Sequence, residues 1–233
     1  MRYKINFKPK SPVIIEGFPG FGLVGTIASE FLIKHLNAEK IGYIRMDEVP
    51  PVVAVHDSEA IEPLGIFYSK KKNIVILHAL ANVAGYEWEI SELLVKLAKE
   101  LKAKEIISLE GVGAEGILSK SDKPKAYYMS NGKLKSKCGE RLSEGIIVGV
   151  TGALLLRDDI KNTSFFAETH SALPDSRAAA QILCLLDEYL DLGLDYTPLL
   201  KKAEEFETKL KGIMAKTKDA SAAADRRNET YFG

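Results

Sequence analysis

The stretch Glu16-Gly17-Phe18-Pro19-Gly20-Phe21-Gly22-Leu23-Val24-Gly25 constrains the fold more than any other. The apolar run Val13-Ile14-Ile15 before it reads as a buried strand, and the segment from Thr26 to Leu36 after it reads as a helix. Glycine reaches positive φ and lets a helix lie close against a sheet. The unpaired N–H groups at a helix start can also hold an anion. Gly20-x-Gly22-x-x-Gly25 matches the dinucleotide fingerprint letter for letter. A strand over 41–45 with Asp47 just beyond it places an acid about where a ribose would be held. Three features oppose that reading. Glu16 to Pro19 separate the strand from the glycines, Pro19 removes a donor and stiffens the turn, and Phe18 and Phe21 crowd the backbone a pyrophosphate would approach. The favoured reading is a structural strand-to-helix turn built on Gly17, Pro19, Gly20, Gly22 and Gly25. Ligand binding by the same loop is the competing one.

The rest of the chain alternates strands and helices. Residues 3–7 read as a short edge strand, and Pro50-Pro51 precedes a short strand over 52–55. Segments 64–68 and 73–77 flank Lys70-Lys71-Lys72 as a hairpin with a solvated turn. Ile90, Leu93, Leu94, Leu97 and Leu101 mark one face of a helix over 86–101. A strand over 104–109 runs into a second glycine loop, 111–116. Strand, helix, strand, repeated, predicts a three-layer α/β/α domain with a mostly parallel mixed sheet. Ligands in such sheets bind at the carboxyl ends of the strands. From Lys120 to Lys137 the chain is polar, and Asn131-Gly132 signals a hairpin, read as an excursion from the sheet. Residues 146–150 read as a buried strand, 151–158 as a short helix, 164–169 as the last strand and 174–192 as a helix with Asp175 near its positive end. The expected boundaries are one domain over 1–217 and a flexible tail over 218–233.

Lys plus Arg equals Asp plus Glu at 32 each, so no basic excess points to nucleic acid. The longest run free of Asp, Glu, Lys and Arg, from Asn73 to Tyr86, is 14 residues, short of the roughly 18 a membrane span needs. The N-terminus carries no secretory apolar core, which predicts a cytoplasmic protein. Cys138 and Cys184 lie far apart without metal spacing and read as free thiols in a reducing compartment. No metal or cofactor is expected.

The acids and histidines at strand ends are Glu16, Asp47, Glu48, His56, His78, Glu87, Glu110, Glu115, Glu168 and His170. Glu168-Thr169-His170 is the best acid/base candidate among them, but local capping or pairing of Glu168 and His170 is the favoured reading. Glu87 and Glu89 suit the positive end of their helix. No coherent catalytic set emerges. A last helix over 198–216 carries Leu199, Ala203, Phe206, Leu210 and Ile213 at spacings of 4, 3, 4 and 3. That narrow seam suits a partner helix in an oligomer, or packing on its own domain.

Residues Gly17 to Gly25 resemble the opening signature of the archaeal proteasome assembly chaperone family, in its second-chaperone-like branch. The likeness recurs over Gly149 to Leu156, at Ala167-Glu168-Thr169 and over Pro174 to Ala179. The resemblance implies a phosphorylase-like α/β fold, a homo-oligomer, no established enzymatic activity and a proteasome-related role. The end of the chain, Arg226-Arg227-Asn228-Glu229-Thr230-Tyr231-Phe232-Gly233, resembles the hydrophobic–tyrosine–any-residue terminus that enters pockets between proteasome α-subunits. Tyr231 would be the hydrophobic residue, Phe232 would fill the tyrosine position without its hydroxyl, and Gly233 would supply the carboxylate. In the other register Tyr231 takes the tyrosine position with one residue too many. The alternative function is a nucleoside phosphorylase-like or nucleotide-dependent enzyme using the glycine loop.

Overall fold

The computed structural model describes residues 1–47, 53–56, 59–113, 124–130, 134, 136–169 and 173–197. The elements are β1 (Arg2–Ile5), β2 (Val13–Gly17), a single 3₁₀ turn (Phe21–Leu23), α1 (Val24–His35), β3 (Glu39–Arg45), β4 (Ala54–His56), β5 (Glu59–Ile61), β6 (Leu64–Ser69) and β7 (Ile74–Ala79). They continue with α2 (Glu87–Leu101), β8 (Glu105–Gly113), β9 (Ala126–Ser130), β10 (Glu140–Arg141), α3 (Gly149–Leu155), β11 (Asn162–Thr169) and α4 (Ser176–Leu190). One nine-stranded sheet has the order β1-β3-β6-β7-β2-β8-β11-β9-β10, and β4 and β5 form a separate pair.

Alternation along the central strands builds two cores from one sheet. Ile15, Ile74, Ile76, Ile107 and Leu109 face one side, where α1 and α4 cover them. Ile14, Val75, Leu77 and Ile106 face the other, under α2 and α3. Period-two side chains on doubly covered strands require continuous apolar runs, as found here. This is the expected three-layer α/β/α arrangement. The helix face of Ile90, Leu93, Leu94, Leu97 and Leu101 is buried as its spacing predicts, and β6 and β7 form the expected hairpin around the lysine turn.

The sheet is not mostly parallel. Its centre, β7-β2-β8-β11, is parallel, but β1-β3, β3-β6, β6-β7 and β11-β9 are antiparallel. With β4-β5, antiparallel pairs are the majority among the described residues. The short β6–β7 connection allows only the antiparallel direction, whereas helical crossovers serve the parallel centre. The polar excursion is corrected as well. Residues 126–130 enter the main sheet antiparallel to β11, and their other neighbour is β10, parallel to them, so no β9–β10 hairpin forms. The Asn131-Gly132 turn itself lies outside the described residues.

Ile146 to Val150 is not a buried strand. β9 fills the sheet position beside β11, so the apolar run stays outside the sheet and leads into α3. Ile146 and Val148 are 91% and 74% exposed. The free-thiol reading also fails: Cys138 and Cys184 form a disulfide with Cα atoms 5.9 Å apart. It ties the approach to β10 onto α4, where Glu188 also accepts from the backbone N–H groups of Lys137 and Cys138. The last predicted helix with Leu199, Ala203, Phe206, Leu210 and Ile213, and the tail with Tyr231, Phe232 and Gly233, lie outside the described residues.

Candidate functional site

The glycine loop joins the carboxyl end of β2 to α1 at the centre of the sheet. A Cβ on Gly17 would lie 2.2 Å from the Gly25 carbonyl oxygen, and one on Gly25 would lie 2.2 Å from the Leu109 carbonyl oxygen. Real Cβ atoms do not approach that closely, so glycine lets α1 start directly against β2 and β8. Gly22 has φ of +65°, a left-handed conformation that costs glycine little. Its carbonyl accepts from the Asp175 amide at 2.9 Å. Asp175 in turn caps α4 by accepting from the Ala178 amide at 2.9 Å, and its other oxygen accepts from the Thr169 hydroxyl at 2.9 Å. The loop is therefore tied to the start of the last described helix.

Against the loop backbone stands one of the chain's own carboxyl groups, that of Glu110. A Cβ on Gly20 would lie 1.9 Å from Glu110 Oε1. Glu110 Oε2 accepts from the Thr151 hydroxyl at 3.2 Å, and the Phe21 and Gly111 amides also favour its charged form. Beside it stands Glu16, 1% exposed, with Oε1 3.4 Å from the same Thr151 hydroxyl. Register places Glu16 opposite Ser108, and alternation puts Glu110 on the same face as Ser108, so both acids point toward α3. One hydroxyl carries one hydrogen and serves one carboxylate at a time. Among the described residues Glu16 Oε2 and Ser108 Oγ make no hydrogen bond of standard geometry, but the Ser108 hydroxyl lies near enough to favour the charged Glu16.

Burial pushes the Glu16 carboxyl up to about 7, with Ser108, Thr151 and the Phe18 amide opposing. Burial, then the neighbouring Glu16, pushes Glu110 up to about 8. Both acids therefore favour the protonated form near neutrality, and two adjacent buried carboxyls resist carrying charge together. Beside the pair is a cleft of about 510 Å³ lined by Phe18, Pro19, Gly20 and Phe21, by Asn82 to Ala84 and Glu87, by Glu110 to Gly113 and by Ile146 to Val150.

The remaining candidates fall elsewhere. Asp47 is paired with Arg45 at 2.7 Å and Arg2 at 3.4 Å. Arg45 holds its carboxyl below the usual range. It follows β3, which β6 and β7 separate from β2, so it does not face the glycine loop as a ribose-binding acid would. Glu87 accepts from the Gly85 amide at 3.0 Å and lines the cleft. Glu168 accepts from the Tyr127 hydroxyl at 2.6 Å, and burial followed by that bond pushes Tyr127 up to about 12. Glu48, Glu115 and His170 lie outside the described residues, as does the side chain of His56.

His78 is buried on β7 and contacts two α1 residues, Ser29 Oγ at 2.9 Å from Nδ1 and Glu30 at 3.3 Å from Nε2. Burial lowers its pKa, with Glu30 opposing, which favours the neutral ring; the Nε2 tautomer is the one that can donate to Glu30. The order serine, histidine, acid is that of a hydrolase triad, but Ser29 is fully buried. No substrate reaches its oxygen, and the trio joins α1 to β7. Among the described residues no cluster of three or more His, Cys, Asp or Glu is arranged to hold a metal ion, and no helix is long and apolar enough to cross a membrane. Sequence reading named Glu16 and Glu110 singly but missed Thr151 between them. It also missed the contact of Ser29 with His78.

A model of the PAC2 family matches residues 14–214. An uncharacterized protein of Methanocaldococcus jannaschii, MJ0106, is 30% identical over 221 residues, covering 90% of this chain and 87% of the relative. The structure is similar to that of Pyrococcus furiosus PbaA, an archaeal homolog of proteasome-assembly chaperone. That match has a TM-score of 0.82 at 30% identity over 94% of this chain and 99% of that one. Pyrococcus furiosus PbaB, an archaeal proteasome activator, shares the fold with a TM-score of 0.74 at 23% identity, over 91% of this chain and 98% of that one. With its glycine loop, three-layer sheet and nearly full-length matches, the chain belongs to the PAC2 family.

Proposed function

We propose that this protein is a non-enzymatic, homo-oligomeric proteasome-binding protein, an assembly chaperone or regulator acting in the cytoplasm. It docks on the α-ring of the 20S core through Tyr231, Phe232 and Gly233. The observation that carries the reading is the likeness to PbaA over nearly the whole of both chains. The glycine loop of Gly17, Pro19, Gly20, Gly22 and Gly25 is on this reading a structural device. The placement of Glu110 against Gly20 supports that role, because an acid and not a cation stands against the loop backbone. The seam of Leu199, Ala203, Phe206, Leu210 and Ile213 serves the oligomer. The aromatic pair supplies apolar area at the pocket, and a terminal carboxylate pairs with a lysine there. Several tails on one oligomer engage one ring, so avidity strengthens weak single contacts.

The test is capture of the 20S core by the full chain, compared with a variant lacking Tyr231 to Gly233 and one extended beyond Gly233. Both changes are expected to abolish capture while circular dichroism and light scattering stay unchanged. Capture that survives both would remove the tail as anchor, and absence of capture by the unaltered chain would remove the proteasome reading.

A further inference from the structure

The cleft at the carboxyl end of the sheet has a composition that the carboxyl pair alone does not explain. Ile146 and Val148, 91% and 74% exposed, share its lining with Phe18, Phe21, Val83 and Val112. Its acidic lining residues are Glu87 and the largely protonated Glu110, and no Lys, Arg or His lines it among the described residues. Single exposed apolar side chains are ordinary, but a contiguous apolar cleft with charge of one sign marks an interaction site. An anionic ligand would meet the Glu87 carboxylate and no cation among the described residues. The fitting occupant is apolar and cationic.

We propose that the segment 226–232 of the same chain docks in this cleft, with Tyr231 and Phe232 against Phe18, Phe21 and Ile146, and Arg226 and Arg227 toward Glu87 and Glu89 at the start of α2. The match is chemical. The segment brings two guanidinium groups within a few residues of two aromatic rings, and arginine both pairs with carboxylates in a planar fork and stacks on aromatic faces. Reach is ample. The Asp191 carbonyl, just past α4, accepts from Lys72 in the β6–β7 turn at 2.6 Å, so α4 ends at the sheet edge opposite the cleft. From Thr197 to Arg226 is 29 residues (226 − 197); with 198–216 helical as the sequence predicts, they still span up to about 60 Å. The nine residues of β8, which run between the two edges, cover about 30 Å. Tethering within one chain also raises the local concentration of the segment to the millimolar range. A docked aromatic pair is withheld from any other partner, so the cleft sets how much of the segment is free.

The inference does not rest on the proteasome reading, and its test contains no proteasome. In the full chain, Phe232 is replaced by photoreactive p-benzoylphenylalanine. The protein is mixed with heavy-isotope-labelled copies and irradiated, and the adducts are mapped by mass spectrometry. Adducts on 18–21, 112–113 or 146–150, joined within one isotope population, are expected. Their yield should fall several-fold in the Arg226→Glu/Arg227→Glu variant and again in Glu87→Lys. Circular dichroism verifies the fold of both variants. Adducts confined to other parts of the fold, adducts joining light to heavy copies, or a cleft yield unmoved by charge reversal would each overturn the proposal.

Discussion

Gly20 lies so close to Glu110 that a Cβ added to it would sit 1.9 Å from the carboxylate Oε1. Gly25 is equally confined, 2.2 Å from the Leu109 carbonyl oxygen, but its neighbour is backbone and cannot swing aside. The two positions should therefore respond differently to alanine. Gly25→Ala is expected to cost about 3 kcal/mol or more, the upper range for overpacking, and Gly20→Ala about 1 kcal/mol because the Glu110 side chain turns away. Denaturant unfolding of both variants measures this. Equal costs would show that the Glu110 carboxyl is held as rigidly as backbone.

The carboxyl pair makes stability depend on pH with a definite sign. Both groups have folded pKa values above the ordinary 4.5, about 7 for Glu16 and about 8 for Glu110. The folded state thus binds more protons than the unfolded one between roughly pH 4.5 and 8. The contribution is fully present below 4.5 and is lost as pH rises through that window, by up to about 1.4 kcal/mol per pH unit for each group. Glu16→Gln and Glu110→Gln, which keep size and polarity, should each flatten the slope and exceed the parent in stability at pH 8. Unfolding curves at pH 5 and pH 8 decide it, and identical slopes for parent and variants would contradict the pairing.

A loop whose backbone lies against a buried acid and no cation should not accept phosphate. Purified protein is expected to show no thermal shift with inorganic phosphate, ATP or NAD. Binding at a hundredfold excess over Kd would stabilise it by about 2.7 kcal/mol. A shift of that size, lost in Gly22→Val, would restore the enzyme alternative.

The Cys138–Cys184 disulfide closes a loop of sequence separation 46. Chain-entropy reasoning assigns such a loop up to about 4 kcal/mol. Cys184→Ser, or the native protein under strong reductant, should unfold at correspondingly lower denaturant. Limited proteolysis should then cut first near residues 134–141, which the bond holds to α4. An unchanged midpoint would mean that the Glu188 contacts alone hold that segment.

Local chemistry made part of this legible from sequence. The unit from β2 through the turn to α1 announces itself because an apolar run, spaced glycines and an amphipathic run are neighbours in the chain. The helix face from Ile90 to Leu101 and the hairpin about Lys70 to Lys72 are local in the same sense. What escaped depends on strand order. Glu16 and Glu110 meet because β2 and β8 are adjacent, and Thr151 joins them because α3 covers that face; none of this has a periodic signal. Ile146 to Val150 reads as a strand by composition, yet the position it would need beside β11 belongs to β9. The cysteines showed no spacing motif because their pairing spans two elements, and sequence distance says nothing about Cα distance across a fold.

The hydrogen bond from the Asp175 amide to the Gly22 carbonyl also sets a timetable for biosynthesis. A ribosome adding about 5–20 residues per second needs roughly ten to thirty seconds to pass from one residue to the other. Through that interval the first loop of the molecule lacks its closing partner, and β2 waits for β8 before both its edges are covered. Contacts of such sequence separation slow folding. The nascent chain should therefore stay sensitive to proteases and to other unpaired strands until α4 has left the exit tunnel, and release of protection should come late and in a single step.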